Sequence, residues 1–165
     1  VFADIKYETP NISGRMDNLR AAILRPQLRR LGEQAGKWNA RYRAVEAGLR
    51  DAPGLTLIER PAKEAFVASS FQFLLRDWPD AAVGDVIARC LARGVELKWF
   101  GGAEPKGFTS RYDSWRYAEA QSLPKSDRVL AGILDIRVPL TFSLDDCALS
   151  ARIIRSEVGA VFQGS

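Results

Sequence analysis

The chain has 165 residues and a formal net charge of +4, with 47% hydrophobic and 27% charged residues. This size and balance are typical of one folded domain, or of part of a larger one, and exclude a disordered chain. The chain contains no histidine, which excludes Ser/His/Asp and Cys/His relays and histidine-ligated metal sites within it.

The amino-terminal third of the sequence predicts a loop followed by two helices. Turn-forming residues in positions 1–14 predict the loop. From Met16 the apolar residues recur at helical spacing, which predicts a helix with one buried stripe, and Pro26 predicts a bend or a new turn in it. The second helix is predicted from Glu33 to Ala52. The stripe consists of Leu19, Ala22, Ile23, Leu28 and Leu31, and the second helix carries Trp38, Tyr42, Val45 and Leu49 along one side.

The rest of the chain alternates short strands with helices. Strands are predicted at 55–58, 66–75, 95–99 and 136–140, and helices at 79–91 and 127–134. Ser143 and Asp146 have the spacing of a capping box and predict the start of a last helix. That helix is predicted to turn Leu144, Cys147, Ala148, Ala151, Ile154 and Val158 inward.

These elements predict an α/β or α+β fold. Residues 1–52 are predicted to form a loop and linking helices, and residues 53–165 a small domain with a short mixed or antiparallel sheet covered by helices. Cys90 and Cys147 lie in apolar helical patterns without Cys-x-x-Cys spacing, which indicates buried thiols in a reducing compartment.

The amino terminus and the hydropathy of the sequence indicate in which cellular compartment we expect the protein. No apolar run approaches the ~20 residues that span a bilayer, and the amino terminus lacks the regions of a signal peptide. We therefore expect a cytoplasmic protein without a membrane partner. Because the chain begins at Val1 in the middle of a pattern, we interpret it as a fragment.

Positive charge is concentrated between Arg15 and Arg50, where nine basic and three acidic residues give +6 and leave −2 for the remainder. Such a segment is compatible with an arm that binds nucleic acid or another anion, and also with an ordinary solvated helix face. The sequence has no RNA-binding aromatic motif, zinc-finger spacing or basic heptad pattern, which favours the solvated face and no nucleic-acid partner.

Residues 11–31, NISGRMDNLRAAILRPQLRRL, combine an Arg-Met pair, an Ala-Ala-Ile core and a Gln-Leu pair. This segment resembles the stretch that follows the cofactor lysine in the DegT/DnrJ/StrS family of aminotransferases. The helix KWNARYRAVEAGL, the segment Val138-Pro139-Leu140 and the helix start Ser143-Leu144-Asp145-Asp146 are similar to the family pattern more loosely. The resemblance thus covers nearly the whole chain.

The resemblance implies the carboxyl-terminal part of a fold-type I, pyridoxal phosphate (PLP)-dependent enzyme that forms a homodimer with active sites at the dimer interface. The intact protein is expected to transfer an amino group from an amino acid such as glutamate to a keto sugar, including a nucleotide-linked one. The lysine, the acidic residue and the aromatic residue that hold PLP belong upstream. None of the six lysines here stands in the family's serine-led motif, so this segment alone is expected to be inactive, with no catalytic residue and no metal site.

The resemblance also implies where the cofactor phosphate lies. Ser13 matches a family asparagine that reaches the phosphate on the partner subunit, and Asn11 replaces it if the loop shifts. An alternative is that Ser13 only caps the first helix. Arg15 is a candidate for binding an anionic group of the substrate, or else neighbouring carbonyl groups.

The loop after the strand at 95–99 is the second candidate site. Lys98, Trp99 and Arg111 are candidates for binding an anionic or nucleotide-linked substrate through charge and stacking. The alternative is that the aromatic residues of this loop only pack it against the domain.

Two other functions are compatible with the sequence. Sugar dehydratases and non-catalytic regulators share the fold, and the upstream lysine would separate them from aminotransferases. A stand-alone basic interaction module is supported only by the charge of +6 over residues 15–50. A steep loss of nucleic-acid affinity with salt would support that module.

Overall fold

The computed structural model of the chain describes Glu8 and residues 16–103 and 112–164. This part contains the helices α1 (Asn18–Leu28), α2 (Leu31–Leu49), α3 (Asp80–Ala92), α4 (Pro124–Gly132) and α5 (Leu144–Gly164). It also contains the strands β1 (Thr56–Leu57), β2 (Ser70–Leu74), β3 (Lys98–Trp99) and β4 (Ile133–Arg137). The strands form one antiparallel sheet in the order β1-β2-β4-β3, which confirms the predicted mixed fold.

The core lies on one face of this sheet. Phe71 pairs with Ile136 and Phe73 pairs with Leu134 across β2 and β4. Successive side chains of a strand point to opposite faces, so these four residues share one face, and all four are buried. Buried residues of α2, α3 and α5 belong to the same hydrophobic cluster and cover this face.

Helices α2 and α5 approach each other closely where Gly48 faces Ala151. A Cβ atom placed on Gly48 would lie 2.6 Å from the Cβ atom of Ala151, so only glycine fits there without a shift. Arg155 of α5 donates a hydrogen bond of 2.7 Å to the carbonyl oxygen of Arg50. This bond satisfies one of the carbonyl groups that the end of α2 leaves without a helical partner.

Two polar side chains of α2 fix the segments that flank the sheet. Asn39 donates to the carbonyl oxygen of Phe66 at 2.8 Å and accepts from the amide of Ala68 at 3.1 Å. Arg41 donates to the carbonyl oxygens of Phe142 at 2.6 Å and Leu140 at 3.1 Å. Because these backbone groups precede β2 and follow β4, α2 holds the entry of one central strand and the exit of the other.

The last helix begins with the predicted capping box. The amide of Ser143 donates to Asp146 Oδ2 at 2.8 Å, and the amide of Asp146 donates to Ser143 Oγ at 3.0 Å. The hydrogen bonds from Ser143 lower the pKa of Asp146, since they stabilise its charged form. Of the predicted inward residues, Cys147, Ala151, Ile154 and Val158 are buried. The predicted burial of Leu144 was wrong, because this residue lies in the first turn of the helix and is 50% exposed.

The predicted boundary between α4 and β4 was also wrong. Helix α4 ends at Gly132 and β4 begins at Ile133, whereas the sequence predicted a helix to 134 and a strand from 136. The amide of Leu75 donates to the carbonyl oxygen of Gly132 at 2.9 Å, and a Cβ atom on Gly132 would lie 2.7 Å from Leu75 O. Strand pairing therefore begins at Gly132, which has no side chain to prevent the approach.

The predicted burial of the α1 stripe was wrong. Helix α1 has no buried residue, and Leu19 is 71% and Leu28 67% exposed. No element within residues 16–103 and 112–164 covers this stripe. Pro26 lies inside α1, which ends two residues later. The domain boundary at residue 52 stays a prediction, although buried residues of α2 lie in the same core as the sheet.

The close contact at Gly48 predicts opposite effects for two substitutions in α2. Gly48→Ala should lower the free energy of unfolding by about 1–3 kcal/mol, because the new methyl group overlaps Ala151. Gly36→Ala should raise it by about 0.5–1 kcal/mol, because nothing lies within 4 Å of that position and alanine is the better helix former. Urea unfolding measures both. Equal effects would contradict the close packing of α2 and α5.

The capping box predicts a pH dependence of stability. The folded-state pKa of Asp146 is lowered, so its contribution is present above the ordinary aspartate range and is lost as the pH falls through the folded value. Asp146→Asn should therefore flatten the loss of stability as the pH falls below about 5. Asp145→Asn, in the same helical turn, is the matched control. Equal pH slopes in the two variants, measured as urea midpoints, would contradict the capping role.

Candidate functional site

The sheet face opposite the core carries polar residues at alternate strand positions. They are Ser70 and Gln72 of β2, Lys98 of β3, and Asp135 and Arg137 of β4. We call these five residues the polar sheet face. The register places Gln72 and Lys98 on the two sides of Asp135, and Ser70 opposite Arg137. Because paired residues of neighbouring strands point to the same side, the sheet brings all five together.

Gln72 has a fixed orientation on this face. Its Nε2 atom donates to Asp135 Oδ1 at 2.6 Å and to Ser70 Oγ at 2.8 Å. An amide nitrogen carries two hydrogen atoms, and both are used in these bonds. Asp135 is only 6% exposed, and the bond from Gln72 offsets part of the cost of burying its carboxylate.

Two cavities adjoin the polar sheet face. One has a volume of about 300 Å³ and is also lined by Ser69 and Phe100. The other has a volume of about 280 Å³ and is also lined by Glu96. Lys98 and Arg137 line both cavities. Volumes of this size are at the lower end of those found for small-molecule sites.

Of the predicted substrate residues, Lys98 and Trp99 lie within the described part, and they point to opposite faces of β3. Lys98 belongs to the polar sheet face. The indole of Trp99 donates to the carbonyl oxygen of Ala131 at 2.7 Å, and its ring packs against the core. This contact is the one expected if Trp99 packs the loop against the domain, and a role for Trp99 in substrate binding stays a prediction.

The other predicted site residues, Asn11, Ser13, Arg15 and Arg111, lie outside the described residues. Their roles stay predictions. The sequence reasoning missed Gln72 and Asp135. The available signal was a polar residue in the middle of each of two strands, SFQFL and ILDIR, and only the register shows that these two residues meet.

The described end of the loop before α4 is tied to that helix. Tyr112 donates from its hydroxyl group to Asp127 Oδ2 at 3.0 Å and accepts from the amide of Leu123 at 3.2 Å. The rings of Trp115 and Tyr117 stack with their centroids 5.9 Å apart. These contacts connect residues of the 112–123 segment with one another and with α4.

Several chemistries do not fit the described residues. Cys90 and Cys147 are buried, as predicted. Burial raises the pKa of Cys90 to about 11 and also raises that of Cys147, which disfavours the reactive thiolate form of both. Within residues 16–103 and 112–164, no group of three or more Cys, Asp or Glu side chains could hold a metal ion. None of the helices within those ranges could span a lipid bilayer.

Comparison with known protein families identifies the family to which this chain is similar. The model of the DegT/DnrJ/EryC1/StrS aminotransferase family matches residues 2–152. No curated protein sequence matches the chain.

Solved structures resemble the chain at low sequence identity. An aminotransferase, TlmJ, from Streptoalloteichus hindustanus matches with a TM-score of 0.72 and 19% identity, over 93% of this chain and 40% of its own. The 3-amino-5-hydroxybenzoic acid synthase matches with a TM-score of 0.68 and 18% identity, over 92% of this chain and 42% of its own. DesI, solved with its TDP-sugar product, matches with a TM-score of 0.62 and 17% identity, over 82% of this chain and 34% of its own. At these identities the matches show the fold, and the chain spans about two fifths of the first two structures.

The hydrogen bond of Trp99 predicts a loss of stability when its donor is removed. Trp99→Phe should lower the free energy of unfolding by about 1 kcal/mol beyond its packing loss, because Ala131 O loses its donor. Trp38, half-buried on α2 and without a hydrogen bond to a described residue, provides the control Trp38→Phe. By NMR, the Nε1 hydrogen of Trp99 should exchange with solvent more slowly than that of Trp38. Equal exchange rates would contradict the contact.

Proposed function

Because the chain belongs to the DegT/DnrJ/EryC1/StrS aminotransferase family, we propose that it is the carboxyl-terminal portion of a PLP-dependent aminotransferase. The proposed reaction moves an amino group from an amino acid such as glutamate to a keto sugar, including a nucleotide-linked one. The family match over residues 2–152 carries this proposal. The TDP-sugar product of DesI supports the sugar acceptor, and the coverage of 34–42% of the matching structures supports further polypeptide upstream.

The described residues do not fit PLP by themselves. PLP enzymes need a lysine amine that bonds the cofactor and a carboxylate at the pyridine nitrogen. Lys37 is exposed and paired with Glu33 at 2.6 Å, and Lys63 and Lys125 are exposed. Lys98 is half-buried on the polar sheet face. We therefore propose that upstream polypeptide binds PLP, with Ser13 or Asn11 near its phosphate as the resemblance implies.

The exposed stripe of α1 supports contacts with polypeptide outside this chain. Leu19, Ile23 and Leu28 are each more than half exposed, at 71%, 53% and 67%. Exposed apolar patches of this kind mark surfaces that other protein segments cover. We propose that the upstream PLP domain and the partner subunit of a homodimer supply that cover.

The proposed division of the enzyme predicts where activity resides. The 165-residue chain mixed with PLP and glutamate should show no absorption band of enzyme-bound PLP and no amino transfer to a keto sugar. A protein extended upstream to include the family's serine-led lysine motif should show both. Replacing that lysine with alanine should abolish both, because the amine that bonds the cofactor is lost. Amino transfer by the 165-residue chain alone would contradict the proposal.

A further inference from the structure

We propose that residues 29–36, between α1 and α2, form a joint about which the sheet and its covering helices change their orientation relative to α1. We call these residues the α1–α2 joint. The polypeptide that covers the exposed stripe of α1 holds that helix, and the joint lets the remainder of the chain turn as one body. The identity of this cover rests on the proposed function, whereas the joint itself rests on the contacts of the described residues.

The backbone leaves the helical conformation between α1 and α2. Helix α1 ends at Leu28, and α2 begins at Leu31. Arg30, which precedes α2, has φ −102° and ψ 3°, and its side chain makes no capping hydrogen bond within the described part of the chain. The start of α2 therefore lacks the side-chain cap that stabilises a helix terminus. Pro26 weakens the end of α1 as well, because proline has no amide hydrogen to donate.

Two glycines weaken the first turns of α2 without serving its packing. A Cβ atom placed on Gly32 or Gly36 would have no neighbour within 4 Å. Gly48 differs, because Ala151 leaves no room for a side chain there. Glycine inside a helix loses more conformational entropy than alanine. Gly32 and Gly36 therefore lower the local stability of α2 at positions where no contact within residues 16–103 and 112–164 requires glycine.

The two sides of the joint are anchored differently. Beyond the joint, the hydrogen bonds of Asn39 and Arg41 and the buried ring of Tyr42 fix α2 to the core. Before the joint, α1 has no buried residue. At the joint itself, Glu33 pairs with Arg30 at 3.7 Å, and an exposed ion pair of this kind stabilises little. A weak segment that lies between a fixed body and an element held from outside has the arrangement of a hinge.

Hydrogen exchange of the ¹⁵N-labelled 165-residue chain, followed by NMR, tests the weakness of the joint. The amides of residues 34–37 should exchange by local opening, at rates that low urea concentrations do not change. The amides of residues 45–49 should exchange only when the whole core unfolds. The double variant Gly32→Ala, Gly36→Ala should slow exchange at residues 34–37 about five- to thirtyfold, because alanine favours the closed helix.

The matched control is the double variant Gly84→Ala, Gly159→Ala. These glycines lie in α3 and α5, and a Cβ atom on either of them would also have no neighbour within 4 Å. The control should leave exchange at residues 34–37 unchanged. The joint would be overturned by equal exchange at residues 34–37 and 45–49 in the unsubstituted chain, or by equal effects of the two double variants at residues 34–37.

Movement about the joint is measured in the upstream-extended protein with pairs of spin labels and double electron–electron resonance. One pair crosses the joint, from Arg25→Cys on α1 to Arg76→Cys just after β2. The reference pair joins Ala40→Cys on α2 to the same Arg76→Cys. All three positions are exposed, whereas Cys90 and Cys147 are buried and react more slowly with a thiol label. We expect a broader distribution of distances for the pair that crosses the joint.

Alanine at the joint should narrow this distribution. Gly32→Ala with Gly36→Ala is expected to do so and to leave the reference pair unchanged. Equal widths for the two pairs in the unsubstituted protein would overturn the movement. A loss of urea stability in the extended protein that carries these two substitutions would also overturn it, because the glycines would then serve close packing with a neighbouring segment that alanine displaces.

The joint and the proposed function fail in distinguishable ways. Amino transfer by the upstream-extended protein, together with any of the overturning results, would remove the joint and leave the proposed function standing. Exchange by local opening at residues 34–37 of the 165-residue chain, slowed only by alanine at the joint, supports the joint even if the extended protein transfers no amino group. That outcome would remove the proposed function alone.

Discussion

The pairing of β2 with β4 is the constraint on which both the core and the candidate site depend. In this register, Phe73 and Leu134 lie together on the buried face while Gln72 and Asp135 lie together on the other. A slip of one residue in one strand would turn its aromatic or aliphatic side chains to solvent and its polar ones into the core. The hydrophobic effect that stabilises the sheet therefore also sets the position of Gln72 beside Asp135.

Helix α2 reinforces this register from the apolar side. Asn39 holds the backbone before β2, and Arg41 holds the turn after β4. The contact of Gly48 with Ala151 lets α2 lie close to α5, and buried residues of both helices belong to one cluster with the sheet. The two strands that form the polar sheet face are thus fixed by side chains that do not belong to it. Substitutions in α2 would alter the site through the sheet rather than through contact with a ligand.

The sequence predicted the features that depend on local periodicity and missed those that depend on pairing. Helical spacing identified α2, α3 and α5, and the spacing of Ser143 and Asp146 identified the cap of α5. The start of β4 was wrong because the pairing of Gly132 with Leu75, which ends α4, is a long-range contact. The α1 spacing was correctly helical, but periodicity says only that a face is apolar and not which polypeptide covers it. The site was missed for the same reason, since Gln72 and Asp135 are 63 residues apart.

The described residues offer hydrogen-bonding and charged side chains rather than an exposed thiol. Both thiols are buried with raised pKa values, and the sequence has no histidine. What remains are oriented hydrogen-bonding groups and two cations on one face of the sheet. The pair of Gln72 and Asp135 has one favoured arrangement, because turning the Gln72 amide over would bring two hydrogen-bond acceptors together.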